Sequence, residues 1–210
     1  MKKRLTAGVA AVVAAGSLVA TTFAGPAGAS SAQAEGEPGT ITDIVASSGE
    51  GFDTNGRDYD VLLAAVTAAG LGETLATPGL DVTVWAPKDR AFVRTAQDLG
   101  FTGANTDEEG AWNFLVAALT DIGGGDPIPT LTTILQYHVT PDARGPGRVL
   151  RAPGFRTLAE INIRHVPGSL FLIDKDPDIP NPRLVTKAIN IKASNGKIHT
   201  INRVLIPVNL

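Results

Sequence analysis

The spacing of apolar residues changes once along this chain, and that change limits the folds open to it. Up to the turn at Pro141–Gly147 apolar side chains recur at the helical interval, and beyond it they alternate. Tyr59, Leu62, Leu63 and Val66 fall at i, i+3, i+4 and i+7 within Asp58–Gly70. Phe92, Ala96 and Leu99 follow Asp89, a residue suited to cap a helix. Trp112, Leu115, Val116 and Leu119 mark a helix over Asp107–Leu119, and Leu131, Ile134 and Leu135 mark one over Thr130–Gln136. A shorter helix is expected at Thr40–Ala46, followed by a polar loop at Ser47–Gly56. One strand, Asp81–Ala86, sits among the helices and stops at Pro87. After the turn, Arg148–Leu150, Ile161–Val166, Leu170–Asp174, Leu184–Ile191 and Lys197–Ile206 read as strands. Helices first and strands after predict an α+β fold, with helices packed on a largely antiparallel sheet or sandwich.

The last strand carries the strongest local signal. Asn195-Gly196 suits a type I′ hairpin turn, because both central residues of that turn need positive φ. Alternation then places His199 on one face with Ile201 and Leu205, which predicts a buried imidazole rather than a catalytic one. Pro207 ends the run.

The N-terminus has the pattern of a secretory signal. Lys2-Lys3-Arg4 precedes an apolar run at Leu5–Phe23, and Ala27-Gly28-Ala29 offers a cleavage site after Ala29, with a second at Ala32-Gln33-Ala34. Residues 30–39 read as a flexible linker, rich in Ser, Ala, Gly and Glu. The expected location is secreted or extracellular, with cell-wall association as one form of it. The chain has no Cys, so this secreted domain must be held by its core and not by disulfides. Its net charge is −3, and residues 1–29 carry three positive charges and no negative one, so the remainder is more acidic still. Such a balance argues against nucleic acid as a partner. No second apolar run of spanning length follows, so no integral membrane anchor is expected after cleavage.

Three segments, in order, resemble the fasciclin (FAS1) domain. Thr83-Val84-Trp85-Ala86-Pro87-Lys88-Asp89-Arg90-Ala91-Phe92 resembles its first signature block, with Trp85 and Arg90 as departures. Tyr137-His138-Val139 is similar to its central Tyr-His motif, and Asn195–Pro207 resembles its second block. The resemblance implies a single domain over residues 40–210: a wedge-shaped β-sandwich with packed helices, of a secreted bacterial type. It implies a non-enzymatic module for adhesion to cell-surface or matrix protein or polysaccharide. It also names Tyr137 and His138 as candidate binding residues, although the apolar stripe leading into them predicts packing. A second use implied by the family is carriage of an apolar small molecule such as a carotenoid. A cleft lined by Trp85, Phe92, Trp112 or Phe114 would suit it.

Other chemistry finds little support. His138, His165 and His199 lack ligand spacing, and His165 is expected to be exposed, mid-strand beside Arg164. Asp174-Lys175-Asp176-Pro177-Asp178 starts like a calcium loop but holds Ile179 and Val185 where the EF-hand needs Gly and Glu. There is no G-x-S-x-G elbow and no phosphate-cradling glycine motif. No catalytic residue, metal ligand or cofactor site is therefore assigned from the sequence.

Overall fold

The final hairpin supplies the middle of the principal sheet. In the computed structural model, which describes residues 37–49 and 51–208, β7 (Gly196–Ile201) lies between β1 (Val82–Pro87) and β6 (Ile191–Ala193). β2 (Val139–Pro141) completes the order β2-β1-β7-β6. The β1–β7 pair is parallel, from Val82 opposite Gly196 to Pro87 opposite Ile201, while β1–β2 and β6–β7 are antiparallel, so the largely antiparallel sheet expected from the sequence carries one parallel pair at its centre. Both faces are covered, and every residue of β1 is buried. Val82, Val84 and Ile198 face a core built with helices, while Trp85 and Ile201 face a second core.

The first core is closed by α1 (Ile41–Ala46), α2 (Asp60–Ala68), α4 (Asp89–Asp98), α5 (Glu108–Ile122) and α6 (Ile128–Tyr137). A short α3 (Gly72–Ala76), not anticipated from the sequence, packs on α1. Thr40 and Asp43 form a capping box that starts α1, and Asp107 caps α5 by accepting from the Gly110 amide. The second core lies between the principal sheet and a three-stranded antiparallel sheet of β3 (Gly154–Arg156), β4 (Asn162–His165) and β5 (Leu172–Ile173). Tyr137, Phe155, Ile163 and Leu172 meet Trp85, Ile201 and Leu205 there.

Several expectations are corrected. Arg148–Leu150 is helical, within α7 (Pro146–Arg151), because Pro146 at the first helical position is preset in φ and has no amide to satisfy. Leu184–Ile191 contributes one bridge, Leu184 to Ile201, and a 3₁₀ turn at Thr186–Ala188 before β6 begins. The last strand ends at Ile201, well short of Ile206.

The hairpin turn also differs. Ala193 pairs with Gly196, so Ser194 and Asn195 form the loop, and neither Asn195 nor Gly196 has positive φ. Tertiary contacts explain the pair instead. The buried Asn195 side chain accepts from the Ile41 amide at 2.9 Å and donates to the Leu75 and Thr77 carbonyls at 2.8 and 3.0 Å. A Cβ on Gly196 would stand 2.5 Å from the Val82 carbonyl oxygen, too close for any side chain across the parallel pair. The expected signal peptide, residues 1–29, lies outside the described residues. No helix among the described residues is long and apolar enough to cross a membrane.

Candidate functional site

The Tyr-His segment closes α6 and opens β2, so its two side chains leave in opposite directions. Tyr137 enters the second core with no exposed surface. His138 is buried and bridges two elements: Nδ1 donates to the Ile134 carbonyl at 2.8 Å, and Nε2 accepts the Leu205 amide at 2.9 Å. Burial pushes its pKa down to about 4, so it is a neutral imidazole near pH 7. His199 is likewise buried and doubly bonded: Nδ1 accepts from the Asn190 amide at 3.1 Å and Nε2 donates to the Arg144 carbonyl at 2.7 Å. It stacks on Trp85, whose indole donates to the Thr140 hydroxyl at 3.0 Å. His165 is buried rather than exposed, with its two ring nitrogens 2.6 Å from the Ala152 carbonyl and 3.0 Å from the Ser169 carbonyl. Both ring nitrogens of His138 and of His199 are thus spent on the backbone, while a neutral His165 can donate to only one of its two carbonyls.

The sequence reading assigned no metal ligand, yet the fold gathers five carboxylates on the helical side. Asp60, Asp89 and Glu108 are the first residues of α2, α4 and α5, and the loop before α2 adds Asp53 and Asp58. Carboxylate oxygens of Asp53, Asp60 and Glu108 lie within 4.8 Å of one another, as do those of Asp58, Asp89 and Glu108. Asp89, expected to cap its own helix, instead accepts the Val61 amide at 2.7 Å and so caps α2. Asp58 accepts from the Asn55 side chain at 2.6 Å, and Glu108 accepts the Asp53 amide at 3.0 Å. One oxygen each of Asp58, Asp89 and Glu108, and both of Asp60, are buried with no hydrogen-bond partner. Burial, reinforced by neighbouring carboxylates, raises the pKa of Asp60 and Glu108 and lifts Asp89 to about 8; the Gly51 backbone, near Asp60 but outside hydrogen-bond geometry, offsets this only in part. Among the described residues no Lys or Arg forms an ion pair with any of the five. The run Asp53–Asp60, with three Asp and an Asn in DTNGRDYD, was the available sequence signal. Asp89 and Glu108 join it only through the fold.

The acidic stretch after β5 is a different object. Asp174 accepts the Ile206 amide at 2.9 Å, which ties down the segment after β7, and Asp176 accepts the Asp178 amide at 2.8 Å within its own turn. Burial pushes Asp174 up to about 6.

The four aromatics named for an apolar cleft do not share one. Trp85 borders a cleft of about 90 Å³ between α1, α2, α3, α6 and the sheet, lined also by Leu63, Leu75 and His138. Phe92 and Trp112 border a smaller one, of about 50 Å³, between α4, α5 and α6. Phe114 packs on Phe101. Both clefts fall well short of the roughly 300 Å³ at which pockets for drug-sized ligands begin.

The fasciclin domain family model matches residues 57–207. Among solved structures, the FAS1 domain pair from the insect cell adhesion molecule fasciclin I, described there as a novel fold, is similar at a TM-score of 0.52 and 13% sequence identity. The match covers 81% of this chain and 51% of that one, so the chain spans about half the length of the solved protein. At that identity the likeness bears on the fold alone: helices and two sheets arranged as in FAS1. Among curated proteins no sequence match is found.

Proposed function

The chain belongs to the fasciclin domain family, and from that premise we propose that it is a secreted bacterial binding module, without enzymatic activity, that attaches to cell-surface or matrix protein or polysaccharide. The family match over residues 57–207 carries this reading, since fasciclin domains are generally extracellular adhesion modules. The commitment of both ring nitrogens of His138 and of His199 to backbone partners supports it, because neither imidazole is left to serve as a general base. With Tyr137 and His138 buried, the contacts to a partner fall on loops and exposed helix faces. The purified full chain, incubated with native envelope material, is expected to bring down a surface protein or polysaccharide. Equal recovery of the same components with an unrelated acidic protein of this size contradicts the proposal.

The alternative, carriage of an apolar small molecule, rests on the apolar lining of the cleft beside Trp85. Its volume of about 90 Å³ weighs against a long polyene unless the helices part. A visible absorption band in protein purified from its native source would favour carriage, and a colourless native preparation would remove a pigment.

A further inference from the structure

The five-carboxylate cluster has no charge balance of its own. The helix ends of α2, α4 and α5 converge on it, and each contributes roughly half a positive charge, too little for five acids. The inner pair has a simple resolution. Asp58 and Asp89 each keep one oxygen unpaired, and their side chains are placed to hydrogen-bond to each other once one of them carries a proton. Glu108 lies beside both groups and keeps one oxygen unpaired at 0% exposure, and Asp60 keeps both unpaired at 3%. Asp53, at the exposed rim, leaves a side open to solvent and to water ligands.

We propose that Asp53, Asp60 and Glu108 form a calcium site at the N-terminal ends of α2 and α5. The donors are all hard oxygens, which select Ca²⁺, Mg²⁺ or Mn²⁺ over softer metals. Calcium bonds of about 2.3–2.6 Å place any two ligands of one ion no more than about 5 Å apart, and these three oxygens lie within 4.8 Å of one another. Irregular loop geometry and room for waters suit calcium better than the strict octahedron of magnesium. The backbone is also built for close approach, since a Cβ on Gly49 would stand 2.0 Å from an Asp60 oxygen. The site is independent of the adhesive reading: it orders the loop before α2 whatever the module binds.

The test is calorimetric titration of the EGTA-stripped full chain with CaCl₂ alone at pH 7.5, with thermal unfolding measured alongside. One site is expected, with a Kd of about 1 mM or tighter, in the range of extracellular modules. Saturation should raise the Tm by about 5 °C or more. Glu108→Gln and Asp60→Asn should each weaken binding at least tenfold. Asp53→Asn, at an exposed position that cannot unfold the core, should weaken it several-fold even where the buried variants misfold. No heat and no Tm shift at about 10 mM CaCl₂ overturns the site, as does parental affinity in Asp53→Asn together with either folded buried variant. MgCl₂ binding as tightly as CaCl₂ overturns the choice of calcium.

Discussion

Asn195 links three segments that are far apart in the sequence. Its side chain ties the hairpin to the start of α1 and to the end of α3 through three hydrogen bonds spanning more than a hundred residues of sequence. Asn195→Ala leaves those backbone groups unpaired in a buried place, and a loss of about 2–4 kcal/mol in urea unfolding is expected. Asn195→Asp keeps the acceptor for Ile41 but loses both donors, so it should fall nearly as far. His138 makes a prediction in pH. Its folded pKa is about 4 against an ordinary 6.5, so below 6.5 the unfolded chain takes up the proton first. Stability contributed by the neutral ring is complete above pH 6.5 and is lost as pH falls toward 4, by roughly 3 kcal/mol over the full window. Urea unfolding at pH 7 and 4.5 should show a smaller acid loss in His138→Gln than in the parent, after allowance for its lower starting stability. Asp89 acts with the opposite sign. With its pKa raised from 3.8 to about 8, the folded state holds the proton longer, so stability falls as pH rises through that window.

Among the elements, the long amphipathic helices were legible and the short strands were not. α2, α4, α5 and α6 announce themselves because one face of each meets the core and the other meets water, which leaves the 3.6 period in the sequence. The burial of His199 with Ile201 was legible for the same reason, from the period of 2 in β7. β2 and β3 have three residues each, too few for any period, and α7 reads as a strand until Pro146 is recognised as its first residue. Parallel pairing of β1 with β7 leaves no local mark at all, since the partners are more than a hundred residues apart. The acidic cluster was hidden in the same way, being assembled from three helix ends and a loop. Asp89 separates two element-level roles. Asp89→Asn keeps an oxygen for the Val61 amide while removing charge, so the calcium-free protein should become more stable at pH 8 than the parent. Asp89→Ala loses the α2 cap as well and should give back about 1 kcal/mol of that gain. Thermal unfolding of the three proteins in EGTA distinguishes these outcomes, and Asp89→Asn less stable than the parent would contradict the charge argument.

At the scale of the whole molecule, two cores share one sheet. Helices close one face of it and a second sheet closes the other, so the described residues are held without a disulfide. Tyr137 and His138 stand at that junction, one side chain serving the core between the sheets and the other the link to the segment after β7. This arrangement makes the signature segments the frame, and the proposed binding is assigned to the loops and outer helix faces. Saturable retention of the folded full chain on native envelope material tests the adhesive proposal most directly. The folded protein should be retained to a plateau, and excess unlabelled protein should compete it off. Retention that never saturates, or that is equal for the heat-unfolded protein, would contradict it.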